Sequence, residues 1–65
     1  MPKNENLIKR RKEMNMTQEE VAKRAGILRE YYNLIENGRK TPSLRVAKKI
    51  ARALMSGVDA LFYDV

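Results

Sequence analysis

The sequence contains no cysteine, no histidine and no tryptophan among its 65 residues. The lack of cysteine excludes disulfides, and the lack of both cysteine and histidine removes the usual ligands of structural metal sites, so we expect no metal and no cofactor. No apolar run approaches the ~20 residues of a membrane-spanning helix, and the amino terminus lacks the apolar stretch of a secretory signal. These absences predict a soluble, cytoplasmic protein with no membrane association and no evident small-molecule ligand.

Proline and glycine are also scarce, at two and three residues. No proline interrupts the segments in which apolar residues recur at helical spacing, and no strand-like alternation is visible. The chain is long enough for one small core. We therefore predict a single all-α domain over residues 1–65 with five helices, at about 5–14, 18–25, 28–36, 43–54 and 58–62.

The charge is strongly positive, with 14 lysines and arginines against 8 acidic residues and a net charge of +6. A small basic domain suits a polyanionic partner, most often nucleic acid, although a merely solvated basic surface is the alternative. The sequence shows no nucleophile with a base, no paired carboxylates and no phosphate-binding glycine loop. An enzyme is therefore not expected.

The most informative pattern lies between residues 17 and 43. Thr17 and Glu20 have the spacing of a capping box, in which each side chain bonds the other's backbone N–H at the start of a helix. Gly26 supplies a turn, and Asn37-Gly38 is a strong helix stop. Two short helices joined at a glycine, with the outer face of the second one free, form the layout of a helix-turn-helix.

The third predicted helix has two different sides. At 100° per residue, apolar side chains fall together on one side, namely Leu28, Tyr31, Tyr32 and Ile35. Polar side chains fall on the opposite side, namely Arg29, Glu30 and Asn33, with Leu34 at the boundary. We expect Tyr32 to pack in the core and the polar side to face a partner.

Two motifs carry a resemblance to a known family. T-Q-E-E-V-A (17–22) before the glycine turn, and E-N-G-R-K-T-P-S (36–43) after the third helix, resemble the Cro/C1-type (Xre-like) helix-turn-helix family, the fold of lambdoid phage repressors. The resemblance covers about residues 7–62. It implies a transcriptional regulator that binds a palindromic operator in double-stranded DNA as a homodimer, with its third helix in the major groove.

The same resemblance implies base-reading positions on the third helix. Arg29 matches a residue that can bond O6 and N7 of guanine, unless it stays in solvent or pairs with Glu30 or Glu36. Asn33 could read adenine or bond a phosphate. Glu30 could accept from a cytosine amine or orient Arg29, and Leu34 could meet a thymine methyl group or belong to the edge of the core.

Phosphate contacts are implied on both sides of that helix. Thr17 and Gln18 begin the second helix, where free backbone N–H groups favour an anion. The other implied contacts lie on the third helix or follow it, namely Tyr31, Asn37, Arg39, Lys40, Thr41 and Ser43. Thr17 and Ser43 could instead act only as helix caps, and the two roles are compatible.

Arg11 and Glu36 match family positions that form an ion pair. The implied role is a partly buried pair that sets the angle of the recognition helix. Two solvated charges are the alternative.

Two residues depart from the family pattern. Leu28 replaces a Ser or Thr that commonly caps the recognition helix, so this helix is predicted to begin without a side-chain cap. Arg10 replaces a small or apolar residue, and we expect its stem to cover apolar surface while its head reaches water.

The carboxyl-terminal residues leave several interpretations open. The apolar cluster of Val58, Leu61, Phe62, Tyr63 and Val65 could form a homodimer interface, bind another protein or close the core. We favour a homodimer, because a core of this size gains from association. The alternative function is a protein-interaction module, such as an antitoxin or anti-repressor with the same fold.

Overall fold

Five helices follow one another in the computed structural model, which describes residues 2–63. They are α1 (Glu5–Glu13), α2 (Gln18–Ala25), α3 (Arg29–Glu36), α4 (Leu44–Ala53) and α5 (Val58–Phe62). The predicted all-α class is confirmed, and the helix bounds lie within one residue of the predicted ones. The differences fall on residues that cap a helix rather than belong to it, namely Met14, Leu28, Ser43 and Leu54. No described helix has the length and apolar character needed to cross a membrane.

Short-range hydrogen bonds define the helix-turn-helix. The Thr17 N–H donates to Glu20 Oε1 at 2.8 Å, and the Glu20 N–H donates to Thr17 Oγ1 at 3.1 Å, so the predicted capping box is present. Gly26 has φ 71°, a left-handed conformation that a side chain would strain. Gly38 adopts φ 72° directly after the α3 cap. Both glycines therefore stand where the chain must turn sharply.

Asn4 joins three helices at one point. Its Oδ1 accepts from the Leu7 N–H at 3.1 Å and caps α1, while its backbone N–H donates to the Glu36 carbonyl at 2.8 Å. Its Nδ2 also donates to the Leu61 carbonyl at 2.9 Å. The start of α1 is thereby tied to the ends of α3 and α5, which places the preceding residues beside the end of the recognition helix.

The core lies between the helices and uses all five of them. The largest fully buried side chains are Tyr32, Leu7, Ile50, Leu54 and Val21. Helix α2 packs against α3 and α4, α1 packs against α3 and α5, and α4 packs against α5. Tyr32 therefore packs in the core as expected, and the opposite side of α3 remains outside it.

Leu28 lies outside the apolar cluster predicted for the third helix. It is 74% exposed and is the cap residue before α3, with φ −71° and ψ 142°. Helical phasing does not apply to it, because its backbone is extended rather than helical. As predicted, it provides no side-chain cap.

The Arg10 side chain is 32% exposed, so its head reaches water as expected, but the same head also bonds the end of a distant helix. Its Nε donates to the Leu54 carbonyl at 2.9 Å, and its Nη2 donates to the Met55 carbonyl at 3.1 Å. The last carbonyls of a helix have no partner within the helix, so a cation there satisfies them. Arg10 therefore caps the carboxyl end of α4.

Candidate nucleic-acid interface

The outer side of α3 forms one continuous open surface with the start of α2. Gln18 of α2 and the predicted base-reading residues line a single shallow depression, namely Arg29, Glu30, Asn33 and Leu34. Arg29 and Glu30 are exposed, Asn33 is half-buried and Leu34 is 36% exposed. The structure thus brings these side chains together on one face, and their contact with bases remains a prediction.

A second depression continues this surface toward the end of α3. It is lined by Lys3, Asn33, Leu34, Asn37 and Arg39, and it shares Asn33 and Leu34 with the first. The sequence pattern does not predict a role for Lys3, because Lys3 precedes the first helix and lies far along the chain from α3. The sequence shows only that Lys3 directly precedes Asn4, a helix-capping residue. The fold shows that Asn4 is bonded to the end of α3, which brings Lys3 to this surface.

Within residues 2–63, the cations on this surface form no ion pair with a carboxylate. Residues 2–63 contain two ion pairs, Arg10–Glu13 and Arg11–Glu36, and in both the arginine lies on α1. Arg29 belongs to neither, so the alternative in which Glu30 or Glu36 pairs with it is not seen. Lys3 and Arg39 also lie outside these pairs, which leaves their charges available to an anion.

The start of α2 and the start of α4 are both capped by side chains. The Thr17 hydroxyl belongs to the capping box, and Ser43 Oγ accepts from the Val46 N–H at 3.2 Å. Hydrogen bonds from the Thr17 backbone and hydroxyl lower the pKa of Glu20. Both hydroxyls therefore act as caps, and any anion at these helix starts would meet the remaining backbone N–H groups.

The other predicted phosphate-contacting residues are divided between two places. Lys40 and Thr41 are exposed but line a separate groove, together with Phe62 and Tyr63 at the carboxyl-terminal end. Tyr31 is half-buried and packs against the core. The structure therefore does not gather these three with the surface around Asn33.

Arg11 and Glu36 form a partly buried ion pair beneath this surface, in which Glu36 is the buried partner. Arg11 Nε donates to Glu36 Oε2 at 2.6 Å, and Arg11 Nη2 approaches Oε1 at 3.4 Å. Arg11 Nη1 also donates to the Met16 carbonyl at 3.0 Å. Glu36 is 2% exposed. The pair that the resemblance implied is thus present, and it joins α1 to the last residue of α3.

The environment of this pair shifts the pKa of the groups in it. Burial by itself raises the pKa of the Glu36 carboxyl, but the Arg11 guanidinium and the other side-chain donors around it outweigh burial and bring that pKa below its ordinary value. The hydrogen bond to Glu36 in turn raises the pKa of Arg11. Burial, and then the Glu36 carboxylate, raise the pKa of the adjoining Tyr32 hydroxyl. At neutral pH the pair is therefore charged and Tyr32 is neutral.

The predicted dimer residues differ in their exposure. Leu61 is 3% exposed and belongs to the protomer's own core, so its side chain is not available to a second copy. Val58 and Phe62 are partly buried against the core, and Tyr63 is 53% exposed. Val65 lies outside the described residues.

A short helix pair joined at a glycine turn, whose second helix presents polar side chains beside cations, is typical of the helix-turn-helix class of DNA-binding domains. The Helix-turn-helix family model matches residues 7–59. The chain belongs to the Cro/C1-type (Xre) helix-turn-helix family. It is accordingly a DNA-binding transcriptional regulator and not an enzyme.

Individual relatives agree with this assignment. An uncharacterized HTH-type transcriptional regulator of Bacillus subtilis, YqaF, is 51% identical over 59 residues, which cover 91% of this chain and 78% of the relative. One from Archaeoglobus fulgidus is 46% identical over 52 residues, or 80% and 73% of the two chains. The crystal structure of the restriction-modification controller protein C.AhdI from Aeromonas hydrophila superimposes with a TM-score of 0.86 at 30% identity, over 91% of this chain and 89% of that one.

Proposed function

We propose that the protein binds a palindromic operator in double-stranded DNA as a homodimer, with α3 of each copy in the major groove. The observation that carries this proposal is the continuous surface along α3, in which the polar side chains of both depressions lie next to Arg29, Arg39 and Lys3. These three cations form no ion pair within residues 2–63. A helix presented in this way can reach base edges while its neighbours hold the phosphate backbone.

Four side chains on this face would read bases. Arg29, at the first turn of α3, has a free guanidinium that can donate to O6 and N7 of guanine. Glu30 lies beside it and would accept from a cytosine amine or orient Arg29. Asn33, one turn further on, would read adenine, and Leu34 would contact a thymine methyl group.

The residues around these four would contact phosphates. Arg39 and Asn37 flank the end of α3, and Lys3 extends the same edge. At the start of α2, Gln18 would present its backbone N–H group, and Thr17 would contact the phosphate through its hydroxyl, because its own N–H already donates to Glu20. The remaining predicted contacts would lie farther out along the backbone, namely Tyr31, Lys40, Thr41 and Ser43. Such contacts would set the register of the complex without specifying sequence.

The homodimer would use the surface that α5 leaves exposed. Tyr63 is more than half exposed, and Phe62 joins it along the groove beside Pro42. These two, with the edge of Val58, would form the contact, whereas Leu61 would stay in the core. Association through such a surface would add apolar burial to a protein with a small core.

Selection of bound fragments from a random DNA library tests the proposal. We expect two half-sites in inverted orientation, about 34 Å apart or a multiple of that distance, and two protein chains per DNA in sedimentation experiments. Binding should weaken steeply with salt, because each phosphate contact releases counterions.

Three variants with the same loss of charge separate the roles. Arg29→Ala should relax the preference at one base pair in each half-site, whereas Arg39→Ala should weaken all sequences equally and reduce the salt slope by about 0.9 per chain. Arg52→Ala is the control, because Arg52 lies on α4 and lines neither depression of the α3 surface but a separate one with Arg24 and Lys49.

Two outcomes would contradict the proposal. A library that returns no preferred sequence at any salt would rule out sequence-specific regulation and favour the protein-interaction alternative. A preferred site bound by one chain, without inverted half-sites, would rule out the homodimer while leaving DNA reading intact.

A further inference from the structure

A buried carboxylate stands at one end of a line of side-chain amides that leads to the DNA-facing surface. Glu36 Oε1 lies 2.9 Å from the Gln18 amide group. A carboxylate that is ionised can only accept hydrogen bonds, so the Gln18 atom facing it must be Nε2. Since the pKa of Glu36 lies below its ordinary value, this condition holds at neutral pH.

The orientation set at Gln18 passes on to Asn33. With Nε2 directed at Glu36, Gln18 Oε1 is directed at Asn33, and the Asn33 atom 3.0 Å away must be the donor Nδ2. Asn33 Oδ1 then faces Asn37 and accepts from its Nδ2 at 3.1 Å. A rotation of the Asn33 amide by 180° would place Asn33 Oδ1 against Gln18 Oε1, and Asn33 Nδ2 against Asn37 Nδ2. The Gln18 and Asn33 amides therefore each have one allowed orientation.

The network leaves part of the Asn33 amide unused. An amide has two N–H donors and two acceptor lone pairs, and the network uses one of each on Asn33. One donor and one acceptor remain on a half-buried side chain that lines both depressions of the α3 surface. Adenine presents one acceptor, N7, and one donor, the N6 amine, in the major groove. The free groups of Asn33 match that pair in one orientation and not in the reversed one.

We infer that Gln18 and Glu36 are positioning residues that fix the orientation of the Asn33 amide and thereby select adenine at the position that Asn33 reads. This inference rests on the proposed DNA-binding function and adds to it. Gln18 influences base choice through Asn33, and Glu36 acts as the fixed end of the network. Arg11 keeps Glu36 ionised and held in place, so the ion pair serves recognition as well as structure.

A double-mutant cycle on base preference tests the inference. Gln18→Met keeps the length of the side chain and removes its hydrogen bonds, and Asn33→Ala removes the proposed reader. We expect Asn33→Ala to lower the discrimination for adenine at one position of each half-site by about 5- to 150-fold, the range of one bidentate base contact. Gln18→Met should lower the same discrimination at the same position. In the Asn33→Ala background, Gln18→Met should change it no further.

A purely structural role or a direct phosphate contact gives a different result. If Gln18 only contacted phosphate, Gln18→Met would weaken all sequences equally, would reduce the salt slope and would leave the adenine preference unchanged. If the effects of the two substitutions on that preference were additive, Gln18 would not act through Asn33. Either result would overturn the inference.

Measurements on the native protein test the inference even if a variant folds poorly. They also separate the inference from the proposed function. In the native protein, one Nδ2 proton of Asn33 should exchange slowly and show a nuclear Overhauser effect to Gln18, and equal fast exchange of both protons would refute the network. A wild-type library without any preferred sequence would reject the function and the inference together. A preferred site that Asn33→Ala leaves unchanged would reject only the inference.

Discussion

Removal of the Arg11 side chain is the most direct test of how the recognition helix is held. Arg11→Ala would leave Glu36, which is 2% exposed, without the cation bonded to it at 2.6 Å. The hydrogen bond from Gln18 would remain, but a single neutral donor does not offset the loss of a charged partner. The Met16 carbonyl would also lose its donor at 3.0 Å.

The expected cost is large compared with the total stability. Breaking a buried ion pair from one side costs about 3–5 kcal/mol, because the other charge stays buried. At about 0.05–0.15 kcal/mol per residue, a chain of this length has roughly 3–10 kcal/mol in all. In a domain of this size each kcal/mol shifts the melting temperature by roughly 4–8 °C, so a loss of about 3 kcal/mol lowers it by roughly 12–24 °C. The folded protein at low temperature should also bind DNA more weakly, because Glu36 anchors the end of α3.

Thermal unfolding followed by circular dichroism measures the effect. Lys12→Ala is the matched control, since Lys12 lies next to Arg11 on α1 but is exposed and should change the melting temperature little. A double variant, Arg11→Met with Glu36→Gln, should recover part of the loss, because it leaves no unpaired buried charge. A melting temperature for Arg11→Ala within a few degrees of the wild-type value would refute the reasoning.

Three further predictions concern pH and local backbone structure. The pKa of Glu36 is lower in the folded than in the unfolded protein, so its contribution to stability should be complete above about pH 4.3, the ordinary value. That contribution should be lost as the pH falls through the folded-state pKa. Chemical denaturation between pH 6 and 3 measures this loss, and an equally steep decline in Glu36→Gln would contradict the prediction. Leu28→Ser supplies the missing cap of α3 and should stabilise the fold by about 1 kcal/mol, so an unchanged denaturation midpoint would show that the cap does not form. Met55 is 73% exposed with φ 51°, so Met55→Gly should add about 1 kcal/mol by relieving the left-handed conformation, and a lower melting temperature would count against this.

The buried polar groups beneath α3 connect stability with recognition. Tyr32 has a fully buried hydroxyl that makes no hydrogen bond of ordinary geometry within the described residues, although it lies close to Glu36 and Arg11. An apolar core at this place would be simpler to fold, since a buried charge must be matched by partners. In our interpretation, the fold bears that cost because Glu36 gives the α3 surface one defined arrangement of donors and acceptors.

Local sequence was sufficient to predict the helices and their turns. Capping by Thr17 and Ser43, and the positive φ of Gly26 and Gly38, depend on interactions within a few residues, so a short pattern specifies them. The inward position of Tyr32 followed equally from helical phasing. Helical phasing gives the wrong position for Leu28, because Leu28 precedes the first residue of α3 and has an extended backbone.

The resemblance to a family located the candidate surface and the Arg11–Glu36 pair, because both depend on an arrangement that recurs with the motif. It did not show that Gln18, Asn33 and Asn37 are joined by hydrogen bonds, since amide side chains at such separations meet only in a particular packing of α2 on α3.

By itself, the sequence determined that the protein is all-α, basic and built around a helix-turn-helix, because helix periodicity, capping and charge are properties of neighbouring residues. Tertiary structure decided the rest. It placed Lys3 beside α3 through the hydrogen bond from Asn4 to Glu36, and it used Arg10 to cap a distant helix. It also oriented the Asn33 amide through a buried carboxylate. These features join residues far apart in the chain, and only the packing of the helices brings their donors and acceptors within hydrogen-bonding distance.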